Sequence, residues 1–307
     1  MTKFRAILIA GPTASGKSQL AIDIAEQIDG VVVNADSMQV YRELQVLTAR
    51  PSDADMVLLE HRLYGTVSGA TPYSAGRYAS DAGQVIEELA ETGRTPVFVG
   101  GTGLYFQALL RGLSPIPAIA DSIRQHWRSE AVRLGAEALH HVLHSRDRVM
   151  AERLAPSDSQ RIVRALEVLE GTGQSLSEWQ KIPGVPVLRE DDCYKIVLES
   201  PREEIYANCD MRLDAMLAQG LMDEVAALGA LELDPALPIM RAVGVVPFLR
   251  HLSGELELLA AVMAAKTETR NYAKRQLTWL RRNMITWNAI SAKEIESLAP
   301  EIFNNIK

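Results

Sequence analysis

The chain has 307 residues, 47% hydrophobic and 23% charged, with a formal net charge of −7. These proportions suit one large or two smaller globular domains with a sizeable core, and the apolar runs are too short and too interrupted by charge to span a membrane. Two cysteines, Cys193 and Cys209, supply neither a disulfide framework nor zinc-ligand spacing, so a cytoplasmic setting is expected, and the acidic balance speaks against indiscriminate nucleic-acid binding.

In chain order, Phe4 to Ala10 (FRAILIA) predicts a strand rather than a signal peptide, because it runs straight into Gly11, Pro12, Thr13, Ala14, Ser15, Gly16, Lys17 and Ser18. Those eight residues fit G-x-x-x-x-G-K-[ST], and Gln19 to Ile28 after them has helical periodicity. A glycine-rich turn between strand and helix points backbone N–H groups at an anion, and the helix dipole adds to the attraction. Lys17 is expected to neutralise the terminal phosphates of a di- or triphosphate, and Ser18 to offer its hydroxyl to Mg²⁺. Val31 to Asp36 predicts a second strand, followed at once by Ser37, Met38, Gln39, Val40, Tyr41 and Arg42. A carboxylate leaving that strand faces the phosphate loop in such an architecture. Asp36 could hold Mg²⁺ through water, position an acceptor hydroxyl, accept a proton from an attacking nitrogen or oxygen, or cap nearby backbone.

Ser74 to Thr92 has helical spacing, and Thr95 to Gly101 (TPVFVGG) predicts a third, buried strand. Gly100, Gly101, Thr102 and Gly103 then open a helix over Leu104–Leu110. This alternation predicts an α/β fold: a P-loop NTPase-like parallel sheet flanked by helices, with ligands at the carboxyl ends of the strands. After Arg111 a proline-rich hinge leads into purely helical patterns from Asp121 to about Trp179, and Tyr194–Glu199 predicts a strand returning to the sheet. The expected organisation is a core of residues 1–112 and 190–307 interrupted by an all-helical domain, 113–189. On that insertion Arg124, Gln160, Arg161 and Arg164 could clamp a polyphosphate, follow a nucleic-acid backbone or form a solvated face. His126, His140, His141 and His144 have no acidic or thiol companions, so packing or solvent roles are expected. A long helix is predicted over Glu255–Asn283, ending in a short apolar tail, MITWNAI. Between Lys266 and Arg282 it carries six cations against Glu268 alone, interleaved with Tyr272 and Trp279, while Leu277 and Leu280 face the core.

The blocks GPTASGKS, DSMQVYR, TARPS (Thr48–Ser52), YSAGRY (Tyr73–Tyr78), PVFVGGTGLY (Pro96–Tyr105), SQRIVRALEV (Ser159–Val168), RLDAMLAQGLMDE (Arg212–Glu224) and TRNYAKRQLTWLRR (Thr269–Arg282) together resemble the bacterial tRNA dimethylallyltransferase, or tRNA isopentenyltransferase, family. The resemblance implies transfer of a dimethylallyl group from dimethylallyl diphosphate to N6 of the adenosine just 3′ of the anticodon, with Mg²⁺ as cofactor and diphosphate released. It implies that Gly11–Ser18 hold the diphosphate, that Thr13 touches it near the breaking bond, and that Lys17 and Arg212 neutralise it. Asp36 would hydrogen-bond the amino group and accept its proton, with Ser37, Met38 and Gln39 lining the base pocket. Thr102, Arg124, Gln160, Arg161, Ile162, Val163, Arg164, Arg241, Gly244, Lys274 and Arg275 would contact the tRNA anticodon stem-loop, and the protein would act as a monomer. Two departures stand out: Glu60-His61-Arg62-Leu63-Tyr64 where the family often has His-His-x-x-Asp, and Gly244-Val245 where it often has Gly-Tyr. Three other readings use the same loop. A small-molecule kinase binding ATP leaves DSMQVYR and the basic helix unexplained. An isopentenyltransferase acting on free adenine nucleotide gives the helical insertion no task. A non-catalytic RNA-binding NTPase switch predicts nucleotide affinity without prenyl transfer.

Overall fold

The computed structural model describes residues 2–294, 302 and 304–306. Two compact units emerge, Met1–Leu110 with Val187–Lys307, and Arg111–Pro186. Among the described residues of the first unit, β1 (Ala6–Ala10), β2 (Val31–Asn34), β3 (His61–Arg62), β4 (Pro96–Gly100), β5 (Cys193–Glu199) and β6 (Asn288–Ser291) form one sheet. Its order is β3-β2-β4-β1-β5-β6, and every neighbouring pair is parallel.

Alternation of side chains across a pleated strand explains why the sheet is covered on both faces. In β1, Ala6, Leu8 and Ala10 enter one core cluster with Phe98, Tyr78, Phe106 and Leu109, whereas Ile7 and Ile9 enter another with Leu20, Ile24, Val97 and Val99. The helices that supply these partners are α1 (Lys17–Ile28), α3 (Ala75–Glu91) and α4 (Gly103–Arg111); the short α2 (Asp53–Leu58) buries nothing. Parallel register brings Ala10 beside Gly100 and Asn34 beside Val99, so the chain leaves β1, β2 and β4 at the same edge. The phosphate loop, the Asp36 turn and the Gly101–Thr102 turn are therefore neighbours by construction.

The second unit is helical throughout: α5 (Asp121–Leu134), α6 (Ala136–Arg146), α7 (Arg148–Ala151), α8 (Ser159–Thr172) and α9 (Leu176–Trp179). Trp127, Leu139, Leu143, Ile162 and Leu166 form its core at helical spacing. Asp147 and Asp158 cap α7 and α8 by accepting from the backbone N–H groups of Met150 at 3.0 Å and Arg161 at 3.2 Å. His140 packs structurally, its Nε2 lying 3.0 Å from the carbonyl oxygen of Ala151 and 3.2 Å from that of Leu154.

Back in the first unit, α10 (Arg202–Ala218), α11 (Leu221–Gly229), α12 (Val245–Leu252) and α13 (Leu258–Asn283) complete the chain up to β6. Helix α13 lies along α10 and is tied to it by Lys266–Asp214 and Arg270–Asp210 ion pairs, both at 2.7 Å. The sequence reading names neither α2, β3 nor β6. The MITWNAI segment contains β6, which pairs with β5 from Ile196–Asn288 to Glu199–Ser291.

Candidate active site

Gly16 caps α1 with φ of 83°, a left-handed conformation that favours glycine, and no side chain caps the helix. The first-turn amides of α1 are thus left for a ligand. Ala14 at φ 61° bends the loop the same way. The Ser15 hydroxyl is buried without a partner among the described residues, which points to an anion as its missing acceptor. Not all eight loop residues offer an amide, however. Pro12 has none, Gly11 donates to the Gly100 carbonyl at 3.3 Å, and Thr13 donates to Oε1 of Gln276 at 2.8 Å. The loop amides left to meet an anion are those of the helix-proximal stretch, Ala14 to Ser18. It opens on a cavity of about 460 Å³ that is also lined by Asn208, Met211 and Arg212.

Three charged groups converge here. Loss of hydration pushes the Lys17 ammonium down to about 8, opposed by attraction to Asp36 and reinforced by repulsion from Arg212. Burial likewise lowers Arg212, while Asp36 raises it. Asp36 therefore acts electrostatically on both cations beside the glycine-rich loop. The Arg212 guanidinium, from α10, donates to the hydroxyl of Thr13. Lys17 itself donates to the Pro12 carbonyl at 3.2 Å. Two partly buried, mutually repelling cations, Lys17 on the loop and Arg212 reaching it from α10, make a site that an anionic ligand would stabilise.

Asp36 is held by its neighbours rather than by chance. Fully buried Asn34 accepts from the Asp36 N–H at 2.7 Å and donates to the carbonyls of Asp36 at 3.0 Å and Leu63 at 3.1 Å. One Asp36 oxygen accepts from the Met38 N–H at 2.9 Å, and the hydroxyl of Thr102 accepts from the Ser37 N–H at 2.9 Å. Three phenols stand near enough to feel the Asp36 charge, Tyr64 and Tyr105 buried and Tyr272 partly buried. Tyr64, Tyr105 and Tyr272 are all raised by burial and, to a lesser degree, by the Asp36 charge, so they stay neutral. Tyr105 and Tyr78 stack with ring centroids 3.7 Å apart.

The remaining candidates fall into groups. Gln39 is committed to the scaffold, donating to the carbonyls of Thr48 at 2.8 Å and Ala49 at 3.1 Å, and Met38 packs against a core cluster. The Gly244 N–H donates to Glu268 at 3.1 Å, and Arg241 is exposed just before it. Lys274 and Arg275 are exposed on α13. The basic stripe is shorter than the sequence suggests, since Lys266 and Arg270 are spent on α10. In the helical unit, Arg124 pairs with Asp121, Arg161 with Asp158 and Arg164 with Glu167, and Gln160 is exposed. Ile162 needs correction: it is 0% exposed within that unit's core, and Val163 packs against the same core, so neither side chain is a ready RNA contact. Three residues were missed, Gln276, Asn34 and Glu224. Glu224 accepts from the backbone N–H groups of Gln45, Val46 and Leu47 at 2.6–2.8 Å.

No group of three or more His, Cys, Asp or Glu side chains among the described residues could hold a metal by itself. Ser18, exposed at the start of α1, offers a single hydroxyl. That donor set fits Mg²⁺, which takes one or two protein oxygens and fills its octahedron with phosphate oxygens and water. None of the described helices is long and apolar enough to cross a membrane.

A family model described as IPP transferase matches residues 39–283, and one described as isopentenyl transferase matches residues 4–69. The tRNA dimethylallyltransferase of Parvibaculum lavamentivorans is 51% identical over 98% of this chain and 96% of its own length. That of a Bradyrhizobium species is also 51% identical, over 91% of this chain and 92% of its own. Among solved structures, a tRNA isopentenylpyrophosphate transferase from Staphylococcus epidermidis superposes with a TM-score of 0.67 at 29% identity, covering 97% of this chain and 98% of the other. A eukaryotic dimethylallyltransferase acting on tRNA gives 0.77 at 27% identity, covering 95% and 75%.

Proposed function

The chain belongs to the tRNA dimethylallyltransferase family, and from that membership we propose how its site works: it moves a dimethylallyl group from dimethylallyl diphosphate to N6 of the adenosine just 3′ of the anticodon. The observation that carries the proposal is the electrostatic convergence of Asp36 with Lys17 and Arg212 at one sheet edge.

The donor's diphosphate lies on the Ala14–Ser18 amides, with Lys17, Arg212 and the Ser15 hydroxyl as further partners. Ser18 would hold Mg²⁺ there, and the ion would supply additional charge neutralisation on the diphosphate. As the bond between allylic carbon and diphosphate oxygen breaks, the electron pair leaves with the diphosphate, where the cations already stand. N6 of adenosine forms the new carbon–nitrogen bond and gives up a proton, for which the Asp36 carboxylate is the acceptor. An exocyclic amine is a weak nucleophile, so its alignment with the allylic carbon contributes as much as the base. The target purine must leave its stack to reach such a site, and the neutral phenols around Asp36 provide π-faces and apolar walls for it. Thr102, Arg241, Lys274 and Arg275 of the first unit, and Arg124, Gln160, Arg161 and Arg164 of the helical unit, are assigned to the RNA. Function as a cytoplasmic monomer completes the reading.

The test is incubation with labelled dimethylallyl diphosphate and total tRNA, with free AMP in parallel. Label in tRNA, and none in AMP, is expected. Label in AMP alone would favour the free-nucleotide enzyme, and phosphate transfer from ATP to a small alcohol would favour the kinase.

A further inference from the structure

We propose that Gln276 is a positioning residue for the transfer step, acting through Thr13; the inference rests on the prenyl-transfer reading above. Gln276 is 6% exposed in a helix whose neighbouring residues Lys274 and Arg275 are exposed cations. A primary amide is costly to bury unless both ends are bonded, and both are. Its Oε1 accepts from the Thr13 N–H at 2.8 Å, and its Nε2 donates to the Gly101 carbonyl at 3.1 Å. These partners lie 263 and 175 residues away in sequence, at the exits of two different strands. One side chain therefore clamps the phosphate loop to the end of β4.

The space is reserved for it. A Cβ on Gly101 would stand 2.0 Å from Nε2 of Gln276, so a side chain at 101 would displace the clamp. The bond also removes the Thr13 N–H from the anion cradle, which leaves Thr13 its hydroxyl as the group to present. That hydroxyl is oriented from the other side by Arg212. Backbone and side chain of Thr13 are thus fixed by two residues from two helices, Gln276 on α13 and Arg212 on α10. Such an arrangement matters for a step whose rate depends on sub-ångström alignment, and little for holding diphosphate on the amides one to five residues further on.

The experiment is a double-mutant cycle in single-turnover transfer from dimethylallyl diphosphate to an anticodon stem-loop RNA, using Gln276→Met and Thr13→Val. Binding of inorganic pyrophosphate, followed by calorimetry, monitors the loop. Gln276→Met should lower the transfer rate about 10- to 100-fold while changing pyrophosphate affinity by less than about threefold. In the Thr13→Val background the same change should cost less than about threefold. Gln276→Glu, which keeps the acceptor for the Thr13 N–H, should retain more rate than Gln276→Met and completes the cycle should the latter not fold. A wild-type rate in Gln276→Met, rate losses that simply multiply in the double variant, or pyrophosphate affinity falling in step with rate would overturn the proposal. Wild-type protein that transfers nothing to RNA would instead overturn the reading beneath it.

Discussion

Asp36 and Lys17 carry the sharpest expectations at the scale of single residues. Asp36→Ala should lower turnover by roughly 10²–10⁴ while RNA binding is largely kept, checked by steady-state kinetics and filter binding. Activity surviving that change would remove Asp36 as the proton acceptor. Lys17, held near 8 against an ordinary 10.5, makes anion binding pH-dependent. Below pH 8 the free protein carries the charge and pays its desolvation. Between about 8 and 10.5 the unfolded chain binds the extra proton, so stability rises with pH across that window. Pyrophosphate must recharge Lys17 there. Its affinity for wild type, measured relative to Lys17→Met, should therefore weaken above pH 8 by up to about tenfold per pH unit. A pH-independent ratio between the two would place the lysine outside the anion site.

Single residues also divide into those legible in sequence and those not. Lys17 and Ser18 announce themselves because glycine spacing, strand and helix are all local. Gln276, Asn34 and Glu224 do not. Each is an ordinary polar residue whose meaning comes from a partner's backbone: Gln276 from Thr13 and Gly101, Asn34 from Leu63, Glu224 from residues 45–47. Ile162 errs the other way, since a motif block names a stretch of helix without saying which face is buried.

Elements were read well wherever burial is periodic. The strands β1, β2 and β4 and the helices α1, α3 and α4 fall within a few residues of their expected bounds. Helix α2 has six residues and buries none, and β3 has two residues, so neither leaves a hydrophobic period to detect. For α13, replacing Lys274 and Arg275 together by alanine should weaken RNA binding and reduce the slope of log affinity against log salt by roughly 1.4–1.8. An unchanged slope would direct the RNA to another face. The loop at residues 45–47, which precedes α2, hangs on a carboxylate from α11. Glu224→Ala should cost roughly 2–4 kcal/mol in urea unfolding, because it strands three backbone donors. A cost under half a kcal/mol would mean that water replaces the carboxylate.

Across the whole molecule, the parallel sheet does the gathering. Strand exits that are 25 to 90 residues apart in sequence, at Gly11, Asp36 and Gly101, reach one edge, and α10 and α13 close over it with Arg212 and Gln276. The helical unit has its own core, and Arg124, Arg161 and Arg164 are each paired with an acidic neighbour, so an RNA bound there would have to compete with those pairs. The most direct test of the account is a crystal structure with an anticodon stem-loop and an unreactive dimethylallyl diphosphate analogue. The diphosphate is expected on the Ala14–Ser18 amides, with the adenosine amino group about 2.6–3.2 Å from an Asp36 oxygen. A diphosphate bound outside that loop, or an adenosine seated away from Asp36, would contradict it.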